Sequence, residues 1–126
     1  MEHVGDIFVI DDDPAILSFI DEILSDEGYQ VRTAQDGPRA LSALYHQPAD
    51  LILLDLYLPG MNGHAILEHI RSTPGLAHIP VVVMSASMLN DEARAMIGAT
   101  AVLTKPFDLG DLLDCVAYYT ANPPYS

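Results

Sequence analysis

Apolar residues along this chain fall into two alternating patterns. Ile7-Phe8-Val9-Ile10, Leu51-Ile52-Leu53-Leu54 and Val81-Val82-Val83-Met84 are unbroken runs, as expected of strands covered on both faces of a sheet. Between them, apolar residues recur every three or four positions, as on one face of a helix. Strand one spans about 6–10. Asp13-Pro14 follows as an N-cap with proline at the first helical position, and Ile16, Phe19, Ile20, Ile23 and Leu24 continue at helical spacing up to Gly28. A strand at 29–33 leads to a helix from Gly37-Pro38 to His46, with Ala40, Leu41 and Leu44 on one face. Residues 50–54 and 80–84 are central strands. They flank the loop Pro59-Gly60-Met61-Asn62-Gly63 and a helix through Ile66, Leu67 and Ile70 that closes at Thr73-Pro74-Gly75. A short helix at 89–97 passes through Gly98 to a fifth strand at 100–104. The last helix, 108–120, turns Leu109, Leu112, Leu113 and Val116 inward and ends at Asn122-Pro123-Pro124.

Strands alternating with helices imply parallel strands joined by crossovers. Five βα units make a doubly wound α/β sheet in one domain, residues 1–126, with a core of about 6–120 and a short tail at 121–126. No repeat, low-complexity tract or linker interrupts it. Half of the 126 residues are hydrophobic, which suits one ordinary domain and opposes disorder. No apolar run approaches the ~20 residues that cross a bilayer, and the N-terminus lacks signal-peptide character, so a cytoplasmic location is expected. Cys115 is the sole cysteine; it excludes an intrachain disulfide and a cysteine zinc site and reads as a small hydrophobe of the last helix. The net charge of −13 opposes unaided binding to nucleic acid or an anionic membrane. His3, His46, His64, His69 and His78 show no metal-ligand spacing and are assigned to the surface.

The candidate chemistry lies at strand ends, where doubly wound sheets bind ligands. Asp11 and Asp12 close the first run and Asp55 the third; Ser85 follows the fourth and Lys105 the fifth. If the first and third runs are neighbours, three carboxylates converge on one sheet edge. Two unit charges ~5 Å apart repel by ~3 kcal/mol at an effective dielectric of about 20. Such a cluster calls for protonation or a cation, and Mg²⁺ takes carboxylate oxygens while keeping positions for water and phosphate. A carboxylate nucleophile, a divalent metal, a hydroxyl and a lysine are together the parts of phosphoryl transfer.

With their spacing, these residues resemble the receiver domain of two-component response regulators. The likeness covers nearly the whole chain, through Val-Ile-Asp-Asp-Asp-Pro (9–14), Leu-Leu-Asp-Leu-Tyr-Leu-Pro-Gly-Met-Asn-Gly (53–63), Ile-Pro-Val-Val-Val-Met-Ser-Ala (79–86), and Gly-Ala (98–99) ahead of Leu-Thr-Lys-Pro-Phe (103–107). The resemblance implies a flavodoxin-like (βα)5 fold with strand order 2-1-3-4-5. It makes Asp55 the acceptor of an aspartyl phosphate. Asp12 holds Mg²⁺ directly, Asp11 mainly through water, and the backbone carbonyl of Tyr57 is a further ligand beside Asp55. Ser85 contacts a phosphoryl oxygen, and Lys105, ahead of a cis bond to Pro106, pairs with the phosphate. The implied donor is a histidine kinase or a histidine phosphotransfer protein, and the implied output is docking to a downstream protein, with a homodimer left open. Catalysis is confined to the domain's own phosphorylation and slow hydrolysis, so it is not a turnover enzyme.

Two departures stand out. Val102 occupies the place, three residues before the lysine, where the family usually carries tyrosine or phenylalanine. The segment from Ser85 to Gly98 is also about two residues short, which predicts an abbreviated or shifted fourth helix. Tyr57 and Ser87 flank the phosphoryl site at positions that tune phosphate lifetime in the family. Both departures favour, as an alternative, an interaction module that signals without phosphate. A hydrolase of the haloacid dehalogenase type wants aspartate two residues after its nucleophile, where Tyr57 stands. Dinucleotide binding lacks the glycines it needs after strand one. One helix and a tail follow Phe107, which fits either a stand-alone receiver or a piece of a longer regulator or hybrid kinase.

Overall fold

In the computed structural model, which describes residues 5–58, 62–86 and 91–121, five parallel strands alternate with five helices. In chain order these are β1 (Asp6–Ile10), α1 (Pro14–Asp26), β2 (Gln30–Ala34), α2 (Gly37–His46), β3 (Leu51–Asp55), α3 (Gly63–Ser72), β4 (Val81–Ser85), α4 (Asp91–Ile97), β5 (Ala101–Thr104) and α5 (Leu109–Ala121). The sheet order is β2-β1-β3-β4-β5, as the family resemblance implies. His3, Pro59-Gly60-Met61, Ser87, the expected start of the fourth helix at 89 and the Asn122-Pro123-Pro124 end lie outside the described residues.

The three unbroken apolar runs form the central strands. Every residue of β1, β3 and β4 is buried, whereas β2 and β5 occupy the edges and are only partly covered. Alternation along each strand sorts side chains onto two faces. Phe8, Ile10, Ile52, Leu54, Val81 and Val83 pack with Ala40, Leu41 and Leu44 of α2 and Ile66, Leu67 and Ile70 of α3. Ile7, Val9, Leu51, Leu53, Val82 and Met84 pack on the other face with Leu17, Ile20 and Leu24 of α1 and Leu112 and Val116 of α5. Strands β3 and β4 run one residue beyond the sequence reading, so Asp55 and Ser85 are the last paired residues of their strands.

Helix starts follow the capping residues. Asp13 accepts from the Ala15 amide at 2.9 Å, Asp36 from the Arg39 amide at 2.9 Å and Asn62 from the Ala65 amide at 2.9 Å. Each satisfies a donor left open by the first helical turn.

Two apolar side chains depart from the simple stripe. In α1 the inward axis is Leu17, Ile20 and Leu24, with Ile16 and Ile23 as flanks. Phe19 lies farther round the helix and is 47% exposed. In α5, Leu112 and Val116 are buried, but Leu109, the first residue of the helix, is 49% exposed. Cys115 packs against the α1–α5 face, and burial pushes its thiol up to about 11.

Glycine 63 joins α3 to the end of β3 by close approach. Its amide donates to the Leu56 carbonyl at 2.8 Å, and a Cβ there would stand 2.4 Å from Leu56 Cα and 2.6 Å from the Asp55 carbonyl oxygen. Only a residue without a Cβ allows this contact.

Leu17→Ala is expected to lower unfolding free energy by about 2–4 kcal/mol, and Phe19→Ser by under about 1 kcal/mol; urea titrations of the two variants check the ranking. Gly63→Ala is expected to destabilise by about 1–3 kcal/mol and to shift the backbone amide resonances of Asp55, Leu56 and Tyr57.

Candidate phosphoacceptor site

The site forms where the chain reverses its direction across the sheet, with β2 on one side of β1 and β3 on the other. Register carries the residues there. Ile10 pairs with Leu54, so Asp11 and Asp55 follow side by side. Asp55 lies opposite Met84, and Ser85 opposite Thr104. The backbone continues the ladder past the strand ends: the Asp11 amide donates to the Ala34 carbonyl at 3.2 Å, and the Lys105 amide to the Ser85 carbonyl at 2.7 Å.

The structure thus brings Asp11, Asp12, Asp55 and Lys105 together, and strand register carries Ser85 to the same sheet edge. Asp11, Asp55 and Ser85 are buried, Asp12 is exposed and Lys105 is partly exposed. The Lys105 ammonium donates to Asp11 Oδ2 at 3.1 Å and lies 3.6 Å from Asp55 Oδ2. The Lys105-Pro106 bond is cis. On the other oxygens, the Asp13 amide donates to Asp11 Oδ1 at 2.9 Å and the Tyr57 amide to Asp55 Oδ1 at 3.1 Å. Both carboxylates are therefore held at two points. The Tyr57 ring is 65% exposed, while its backbone lies against Asp55.

Three neighbouring aspartates take different positions as the chain leaves β1. Asp11 turns into the site, Asp12 stands at its open rim, and Asp13 caps α1. Burial is the main influence on the Asp11 carboxyl and holds it above its ordinary range; the Asp13 amide and the Lys105 ammonium oppose that shift, and the Asp55 charge adds to it. For Lys105, burial alone would push the ammonium down, but hydrogen bonding and attraction to Asp11 and Asp55 together hold it above its ordinary range. The ammonium stays charged where it is needed.

One carboxylate oxygen from each of Asp11, Asp12 and Asp55 lies within 4.8 Å of the others. An all-oxygen donor set with one ligand at the solvent rim suits a hard cation that retains water, and Mg²⁺ is the common one. The donors present therefore fit Mg²⁺. Sequence reasoning passed over two groups that shape the site. The Tyr57 amide was hidden because backbone donors leave no residue-type signal. The close fit of Gly63 had one cue, a glycine at the predicted start of a helix.

Comparison with known proteins agrees with this geometry. Residues 7–117 match the family model described as the response regulator receiver domain. The response regulator PleD of Caulobacter vibrioides is 38% identical over 104 residues, which cover 81% of this chain and 23% of PleD. The sensor histidine kinase GacS of Pseudomonas protegens is 34% identical over 119 residues, covering 90% of this chain and 13% of GacS. The chain thus spans less than a quarter of either relative. Among solved structures, chemotaxis protein CheY4 of Vibrio cholerae superposes with a TM-score of 0.87 at 26% identity, covering 93% of this chain and 99% of that one. Strand order, the carboxylate cluster under a lysine and a family match across nearly the whole fold lead to one assignment: this chain belongs to the response regulator receiver domain family.

Proposed function

We propose that this domain accepts a phosphoryl group on Asp55, with Mg²⁺ held by Asp12 and Asp55, by Asp11 through water, and by the Tyr57 carbonyl. The observation that carries this reading is the shared environment of Asp11, Asp12, Asp55 and Lys105 at one strand edge. In the transfer, an Asp55 carboxylate oxygen forms a bond to phosphorus. The bond from phosphorus to the donor breaks, and the leaving group takes that electron pair. The Tyr57 amide restrains the rotation of the Asp55 carboxylate, which favours in-line approach. Lys105 pairs with negative charge on the phosphoryl oxygens, and the Ser85 hydroxyl donates to one of them. Mg²⁺, when bound, offsets the charge of the carboxylates and of the incoming phosphoryl group.

The donor we infer is a histidine kinase or a histidine phosphotransfer protein in the cytoplasm, and the output is a change in affinity for a downstream protein partner. Turnover is restricted to the domain's own phosphorylation and dephosphorylation. PleD is a response regulator and GacS a sensor histidine kinase, so relatives with different outputs share this domain, and the partner depends on whatever accompanies it. No helix among the described residues is long and apolar enough to cross a membrane.

One observation favours a second reading, phosphate-independent interaction. Val102, like Ile97, packs against the α2–α3 core, with no polar tip that a phosphoryl group could attract. Absence of both Mg²⁺ binding and a phosphate-dependent change in partner affinity supports that reading.

Asp55→Asn is expected to abolish acid-labile incorporation of phosphate from acetyl phosphate with Mg²⁺; incorporation at the wild-type level excludes Asp55 as acceptor. Asp12→Ala is expected to weaken Mg²⁺ binding at least about tenfold in a calorimetric titration. Asp13→Ala is expected to leave that affinity unchanged and to cost about 1 kcal/mol of stability as a lost cap.

A further inference from the structure

The turn between α4 and β5 is tied down by two guanidinium groups. Arg71, in the last turn of α3, donates from Nε to the Gly98 carbonyl at 2.8 Å and from Nη2 to Thr100 Oγ1 at 3.3 Å. Its Nη1 donates to the Ala77 and Ile79 carbonyls at 3.1 and 2.7 Å. Arg94 of α4 covers the remaining carbonyls of the turn, Ala99 at 3.0 Å and Thr100 at 3.2 Å. The backbone closes the same knot. Thr100 donates its amide to the Val81 carbonyl at 2.8 Å, and its Oγ1 accepts the Val81 amide at 3.0 Å.

Gly98 completes the arrangement. It adopts φ +81°, a conformation that strains residues with a Cβ, and a Cβ there would lie 3.3 Å from the Arg71 side chain. Arg71 is half-buried, and among the described residues none of its partners is a carboxylate. It therefore acts as a directional fastener for backbone carbonyls. A lysine cannot reproduce this, because one ammonium cannot reach acceptors spread around a planar fork.

We propose that Arg71 fixes the C-terminal end of α4 to α3 and the start of β4, so that any switching movement of α4 pivots about residues 98–100. This rests on the phosphoacceptor reading for its trigger and on the hydrogen-bond geometry for its hinge. Val102 lies two residues beyond the fastened turn and, like Ile97, packs against the α2–α3 core. With the C-terminal end held by these hydrogen bonds, displacement is greatest toward the N-terminal end of α4.

The test compares amide spectra and hydrogen exchange of the full chain as wild type, Arg71→Lys and Arg71→Met, with and without Mg²⁺ and beryllofluoride. Without ligand, both substitutions are expected to speed exchange at the Ala99 and Thr100 amides by about tenfold or more, since charge-assisted hydrogen bonds are lost. With beryllofluoride, wild-type perturbation is expected at residues 93–95 and to be small at 98–100; in Arg71→Lys it is expected to spread into 98–100. Unchanged exchange in the variants, or wild-type perturbation as large at 98–100 as at 93–95, overturns the hinge alone. No perturbation anywhere in the wild type overturns the phosphoacceptor reading and the pivot with it. If neither variant folds, the wild-type pattern decides.

Discussion

Two carboxylates nearly sealed from solvent stay charged side by side at a sheet edge only when a cation lies close to both. In this chain that cation is the Lys105 ammonium, 3.1 Å from Asp11 and 3.6 Å from Asp55. At an effective dielectric of about 20, a pair of like charges ~5 Å apart costs ~3 kcal/mol, a sizeable part of a domain's stability of about 5–15 kcal/mol. The ammonium must come from β5, which is separated from β3 by β4. Sheet order, strand length and the exit of the chain after Thr104 therefore all bear on whether the acidic pair is tolerable. The same charge arrangement leaves Asp12 at the rim, where a metal ion can share the load.

Much of this was legible in the sequence because the signals are local. An unbroken apolar run bounded by turn signals and ended by a carboxylate, Leu51 to Asp55, reads as a covered strand with a charged end, and the structure buries all five residues. Asp13-Pro14 and Gly37-Pro38 mark helix starts by residue type alone, and the structure caps these helices with Asp13 and Asp36. What was not legible depends on reach across elements. Phe19 fits the helical period as well as Leu17 does, and only the position of the neighbouring sheet decides that Leu17 is inside. Leu109 fits the helical period of Leu112 and Val116, yet as the first residue of α5 it is left half exposed. Arg71 carried no signal, since one arginine near a helix end usually reaches solvent.

Three consecutive aspartates show how one residue type acquires separate roles from backbone direction alone. The ladder ends as the Asp11 amide bonds to Ala34, and the chain then turns into α1. The first carboxylate is left inside, the second at the rim, and the third over the helix terminus. Residue type fixed the charge, and strand exit fixed what each charge does. The Asp13 amide also donates to Asp11 Oδ1, so the capping residue orients the buried one through its backbone while its side chain serves the helix.

Signalling from such a site requires the strand ends to move together, and the hydrogen bonds supply that link. Ser85 and Lys105 are joined through a 2.7 Å backbone bond, and Ser85 pairs with Thr104 across the β4–β5 ladder. Under the proposed phosphoryl transfer, attraction of the serine hydroxyl and the lysine ammonium toward the phosphoryl group would pull on β4 and β5 as one unit. Val102, paired with Val83 two positions earlier, takes that pull into the apolar layer shared with Ile97. Valine transmits displacement by contact and has no second buried-to-exposed state of its own. On the proposed pivot, the response would pass through the core that Ile97 and Val102 share, with the guanidinium-bound turn as the fixed point.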